Sequence, residues 1–338
     1  MPDEYLMVSP ARLLAKPAWR RMLRIDTLGG DTTIVIQALT QLQPERLVYA
    51  EGDSWFDKFT PLPLTGTNLL EEIKTPFLTA VVDVAHIGDE VRSMVTGWQA
   101  QQTKAMFDLF EFDAILLSAG GNDLKNRFVE MVDGKVSSGG VRSVASAAEI
   151  ARLAMPASHR EFLAGVMSNI SRFVALRTNA HKAKTRKAPI FVHGYDYLQP
   201  RPAGAIVFGG TRIGPGPWLY PSLRDAGLND VQMRSVADAI IDEMNLQLRT
   251  SMDKLDNVHF LDQRGLLVPA AAGNTESNAD WMDEIHPNAQ GFSRLARNRW
   301  DVPLSCALGW KPSDGDVVPA EKVRTTSTAL GEVETQTA

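Results

Sequence analysis

Three short stretches carry residue types that could do chemistry together. The first is Gly52-Asp53-Ser54, which follows the apolar run Arg46–Ala50 after the single residue Glu51. A serine at the carboxyl end of a buried strand stands where open parallel sheets present their ligands, and Gly52 lets the chain turn sharply behind it. The second is Ser118-Ala-Gly-Gly-Asn-Asp-Leu124, again directly after an apolar run, so the Asn122 amide can donate toward the same edge. Donors so placed stabilise the oxyanion of an acyl-transfer intermediate. The third is Trp281-Met-Asp-Glu-Ile-His-Pro-Asn288. Asp283 and His286 stand three positions apart, so one turn brings the carboxylate to the imidazole. That pairing sets the tautomer of a histidine that takes a proton from serine. Each stretch alone also suits an ordinary turn or helix cap; the three together point to nucleophilic catalysis.

Five runs that suit buried parallel strands position these residues: Arg46–Ala50, Ala80–Ala85, Ala114–Ser118, Pro189–His193 and Val258–Leu261. They are short and rich in β-branched or aromatic residues, as a sheet covered on both faces requires. Between them lie stripes of helical period. One runs Val91, Met94, Val95, Trp98, Ala105, Met106, Leu109. A second runs Phe162, Leu163, Val166, Met167, Ile170, Phe173, Val174, and a third Met233, Val236, Ala237, Ile240, Ile241, Met244, Leu248. Alternating strands and helices give right-handed βαβ units and a parallel sheet between two helical layers.

With those elements in place, the chain resembles the SGNH (GDSL-type) hydrolases. Gly52-Asp53-Ser54 matches their first block, Gly121-Asn122-Asp123 their third and Asp283-x-x-His286 their last. Ile87-Gly88-Asp89, after the second run, looks like their second block. The resemblance spans about residues 45–300 and implies a flavodoxin-like three-layer α/β/α sandwich with a five-stranded parallel sheet, order 2-1-3-4-5. It implies a carboxylic ester hydrolase with Ser54 as nucleophile, His286 as general base and Asp283 orienting it. The implied oxyanion hole is the Ser54 and Gly88 backbone N–H groups with the Asn122 side chain. Trp55 and Phe56, where the family often has small or polar residues, are expected either to line the acyl pocket or to pack under the first helix. His193 is expected either at the pocket wall or one layer behind the catalytic residues, Tyr195 at the pocket wall, and His86 in the core or at an edge. Acyl transfer to an alcohol, or a binding protein that keeps the fold, are the alternatives.

Composition narrows the field further. Of 338 residues, 44% are hydrophobic and 22% charged, so a full core is expected. The net charge of -5 offers no basic field to nucleic acid. Cys306 stands alone, which excludes an intramolecular disulfide and a cysteine metal cluster. His159, His181 and His259 lack carboxylates at ligand spacing. No cofactor and no metal is therefore expected, and the partner is a small-molecule, lipid or glycan ester. The basic run His181–Lys187 suits a helix end, and the glycines at 209–216 lead into no helix and form no phosphate loop. No signal peptide or membrane-length apolar run is evident, so a cytoplasmic location is the default, with specialised export leaving no trace in the sequence. Residues 1–45 are expected to extend over a hydrolase domain at 46–311. That domain carries insertions at 126–156 and 195–228, and 312–338 forms a polar, flexible tail.

Overall fold

The computed structural model describes residues 19–27, 30–57, 67–136, 157–205 and 215–312. Its strands are β1 (Arg20–Arg21), β2 (Leu23–Asp26), β3 (Arg46–Gly52), β4 (Lys74–Thr75), β5 (Thr79–Asp83), β6 (Ala114–Ser118), β7 (Ile190–His193) and β8 (Val258–Leu261). Six of them form one parallel sheet in the order β2-β5-β3-β6-β7-β8, and β1 pairs antiparallel with β4 apart from it. The five strands expected from apolar runs are β3, β5, β6, β7 and β8. Numbered among themselves, they lie in the expected order 2-1-3-4-5.

The sixth strand corrects the expected count. β2 runs parallel beside β5, with Leu23 opposite Ala80 and Asp26 opposite Asp83. Its sequence, Leu-Arg-Ile-Asp, alternates over only four residues, and Ile25 is buried while Leu23 is exposed. So short and charged a strand reads as loop until a neighbour supplies its hydrogen bonds. Arg24 justifies its place: Nε lies 2.5 Å from Asp83 Oδ2, and Nη2 lies 3.2 Å from Asp57 Oδ1. The N-terminal segment is thus part of the sheet over these residues, followed by the helix Thr32–Leu42, which Asp31 caps through Thr33 N.

Helices lie between consecutive strands of the main sheet from β3 onward. The core is continuous, and β3, β5 and β6 are buried along almost their whole length. The helix Asp230–Met252 buries every residue of the third expected stripe. Its start is sealed by a capping box between Asn229 and Gln232. The first expected stripe is divided. Val91–Met94 and Gly97–Leu109 are separate helices, and Trp98 and Leu109 face outward. The second helix instead buries Gln99, Thr103, Met106 and Phe107, with Thr103 Oγ1 2.9 Å from Tyr49 Oη. Polar residues on the inward face hide such a stripe from a hydrophobic pattern.

The segment expected as an insertion at 126–156 begins as continued helix, Gly121–Val136, while 137–156 lies outside the described residues. The 195–228 segment is largely irregular with a helix at Tyr220–Asp225, and 206–214 lies outside the described residues. The expected tail falls outside them too, save Pro312, as do residues 1–18. No helix among the described residues is long and apolar enough to cross a membrane.

Candidate active site

The ends of β3, β5 and β6 and the Trp281–Asn288 loop bring the expected residues to one edge of the sheet. At the end of β3, Gly52 leaves no room for a side chain. A Cβ would sit 2.6 Å from Ser118 Cβ and 2.8 Å from Ser118 O on the neighbouring strand. The turn beyond is braced by Asp53, whose Oδ1 accepts Trp55 N at 3.0 Å and the Ser118 hydroxyl at 2.7 Å. Its Oδ2 accepts the Tyr195 hydroxyl at 2.6 Å. Ser54 is left 9% exposed, enough for a small group to reach Oγ.

Ser54 Oγ lies 2.8 Å from His286 Nε2. On the far side of the ring, His286 Nδ1 lies 2.9 Å from Asp283 Oδ2 and 3.1 Å from Oδ1. Asp283 Oδ1 also accepts the backbone N–H groups of Ile285 at 2.9 Å and His286 at 2.8 Å. Burial pushes the Asp283 carboxyl up. The adjacent imidazole and these hydrogen bonds outweigh it and hold the carboxyl below its ordinary value. A carboxylate so held keeps a proton on Nδ1 and leaves Nε2 free to accept one from serine.

Gly88 sits at φ +88°, in the left-handed region that a side chain would strain. Its turn is pinned by His86 N donating to Gly52 O at 2.9 Å, and Asn122 Nδ2 donates to Asp89 O at 3.2 Å. That bond orients the Asn122 amide and leaves its second N–H available. Among the described residues, the Ser54 and Gly88 backbone N–H groups have no protein acceptor. Asp123 does not brace its own turn alone; its Oδ2 accepts Val91 N at 3.0 Å, and burial raises its carboxyl to about 6.

A cavity of about 20 Å³ opens at Ser54 and His286. Trp55, Asn122, Tyr195 and the aliphatic Leu124, Leu198 and Ile241 contribute to its wall. Phe56 and His193, each expected either at the pocket or packed behind it, do not line the cavity. Phe56 is fully buried against His193 and Trp300. His193 is fully buried, with Nε2 2.8 Å from Ser118 Oγ and Nδ1 2.9 Å from Gly194 O. Burial lowers its pKa, although Gly194 and Asp53 work against that. It braces Ser118, and thereby Asp53, from below. Trp55 lines the cavity, the first of the two places expected of it, and also donates from Nε1 to Ile285 O at 3.2 Å, joining the serine and histidine loops.

Two residues that sequence reading did not single out anchor the histidine loop. Glu284, fully buried, accepts the backbone N–H groups of Trp218, Leu219 (2.9 Å), Tyr220 (2.8 Å) and Arg201 (3.3 Å). Arg201, also fully buried, donates to Asn274 O at 3.0 Å and Asp283 O at 3.2 Å. Together they fasten the aromatic 195–228 segment onto the loop that carries Asp283 and His286, and they seat Trp218 edge-on to His286 at 5.8 Å. The only signal in the sequence is a charged residue inside each apolar loop, which exposed positions share.

No family model and no curated protein matches the chain. Among solved structures, it is similar to an acetylxylan esterase from Geobacillus stearothermophilus, with 15% identity and a TM-score of 0.40 over 79% of this chain and 95% of that one. A carbohydrate acetylesterase family member from Sinorhizobium meliloti gives 14% identity and 0.43, over 78% and 100%. A lipase from a goat rumen metagenome gives 13% and 0.44, over 78% and 97%. Likeness that distant does not carry function across, so the site's own geometry must.

Proposed function

We propose that the protein is a serine hydrolase that cleaves carboxylic esters through an acyl-serine intermediate. The observation that carries this reading is the unbroken series Ser54 Oγ, His286, Asp283, at 2.8 and 2.9 Å. His286 Nε2 takes the Ser54 proton as Oγ attacks the ester carbonyl. Asp283 stabilises the imidazolium that forms. The tetrahedral oxyanion is received by the Ser54 and Gly88 N–H groups and by Asn122. His286 then gives its proton to the departing alcohol. Water, activated by the same histidine, attacks the acyl-serine and releases the acid. None of these steps calls for a cofactor.

The cavity volume narrows the acyl group. About 20 Å³ is a little more than a single water needs, which favours an acetyl or similarly short acyl chain. Lys125 also lines the cavity and lies 5.9 Å from the Trp218 ring centroid. Transfer to an alcohol instead of water would use the same residues; water exclusion alone separates the two outcomes.

The test is covalent labelling with a fluorophosphonate alongside turnover of p-nitrophenyl acetate and longer esters, with Ser54→Ala and His286→Ala as controls. Labelling confined to Ser54, turnover lost in both variants and a steep fall with chain length are expected. An inert, unlabelled wild-type protein would overturn the reading.

A further inference from the structure

Behind the Gly88 turn, on the β3 face that carries Tyr49, lies a second group of chemically capable side chains that the ester chemistry does not use. Glu51 is the penultimate residue of β3, and His86 and Asp89 flank Gly88 in the turn after β5. One donor atom from each lies within 4.8 Å of the other two. The group mixes two carboxylates with an imidazole, which suits a first-row divalent cation better than a hard one.

A second, independent observation singles the group out. Glu51 is 1% exposed, yet among the described residues its carboxylate has only neutral partners: Gly52 N at 3.1 Å and Thr103 Oγ1 at 3.5 Å. Asp89 and Asp83 lie near enough to oppose its charge. The neighbouring cation, Arg24, is engaged by Asp83 at 2.5 Å and Asp57 at 3.2 Å. His86 Nδ1 is shielded from solvent and has no hydrogen-bond partner, standing 3.8 Å from Asp89 Oδ2. A buried carboxylate without a countercharge must hold a proton or a cation, and here the orphaned imidazole nitrogen stands beside it. Gln99 holds Asp89 in place through its side-chain amide.

We propose that Glu51, His86 and Asp89 form a site for a divalent cation of the zinc class, with water completing its shell. Neither carboxylate has to cross the fold, and closing donor distances of up to 4.8 Å onto one ion requires only a small inward movement of the half-exposed His86. The ion ties the end of the strand that leads into Ser54 to the turn that presents the Gly88 N–H. It clamps two parts of the candidate oxyanion hole without touching substrate. The site stands on its own donors, independent of the ester reading.

The experiment is calorimetric titration of the chelator-treated full chain with Zn²⁺, with Ca²⁺ in parallel and Co²⁺ as a spectroscopic probe. One Zn²⁺ per chain, a raised Tm, visible Co²⁺ absorption and no response to Ca²⁺ are expected. His86→Ala and Glu51→Gln should each weaken Zn²⁺ binding at least tenfold and abolish the Co²⁺ bands. His181→Ala, which removes the exposed histidine beside Asp108, should change nothing. His86 is partly exposed, so His86→Ala serves even where Glu51→Gln fails to fold. No stoichiometric binding, or binding that survives His86→Ala, overturns the proposal.

Discussion

Replacing Asp283 with asparagine separates the proposed chemistry from the fold. In the wild-type protein, Asp283 Oδ1 is held by two backbone donors, Ile285 N at 2.9 Å and His286 N at 2.8 Å, and Oδ2 faces His286 Nδ1 at 2.9 Å. In Asp283→Asn the amide oxygen must take the Oδ1 position. The flipped amide would aim N–H groups at two buried donors, at about 1–3 kcal/mol each. A cost of about 2 kcal/mol or more leaves at most a few per cent flipped. The amide nitrogen then confronts Nδ1, so the ring moves its proton to Nε2 and can no longer accept from Ser54. In a serine protease triad the equivalent change costs roughly 10⁴-fold in kcat, or about 5 kcal/mol at about 1.36 kcal/mol per decade. A loss of this order in p-nitrophenyl acetate turnover is expected, with fluorophosphonate labelling slowed in parallel. Tm should hold nearly constant, because both backbone bonds to residue 283 survive. Turnover within tenfold of wild type in a folded Asp283→Asn protein would refute the assignment of the orienting carboxylate.

Three further outcomes are expected. Gly52→Ala places a methyl 2.6 Å from Ser118 Cβ and 3.0 Å from Ser118 N; pushing β3 and β6 apart should cost about 1–3 kcal/mol, read as a lowered denaturation midpoint with turnover impaired. Tyr195→Phe removes the donor to Asp53 Oδ2 and the acceptor of Gly121 N. Leaving those buried groups unpaired costs about 1–3 kcal/mol, and it should lower kcat more than it raises KM, since Gly121 leads directly into Asn122. The third concerns pH. Burial raises the Asp301 carboxyl from 3.8 to about 7, against the Lys74 backbone bond and the Lys74 charge. The folded state therefore holds this proton where the unfolded chain has lost it. The group's contribution to stability is full below about pH 4, falls as pH rises to about 7, and is flat above. Asp301→Asn keeps an acceptor for Lys74 N, 2.9 Å from Oδ1 in the wild type. Its Tm advantage over wild type should grow between pH 4 and 7, and a gap constant with pH would contradict the burial argument.

Five strands were legible because each is a short apolar run, and β3, β5, β6 and β7 are buried along nearly their whole length. Their order followed from resemblance, and the parallel pairing bears it out. The candidate triad was legible for a related reason: Gly52 has no room for a side chain, and Asp283 and His286 meet within one local turn. β2 was not legible, since its four residues are stabilised by the open edge of β5 and by the pairing of Arg24 with Asp83. From its place at a strand end, His193 could be read as pocket wall or as support behind the site; only the packed sheet decides between them, turning it inward onto Ser118.

Whatever joins residues far apart in the chain was decided by tertiary structure. Asp53 meets Tyr195, Glu284 gathers the 201 and 218–220 backbone, and Glu51 comes to His86 and Asp89. Local spacing could not announce the last group, because its donors come from the ends of adjacent parallel strands separated by a crossover. Sequence alone thus determined which backbone turns and apolar runs were possible, since sterics and burial act residue by residue. Only the packed sheet decided which polar groups share an environment, because charges and hydrogen bonds depend on distance through space, which sequence separation does not record.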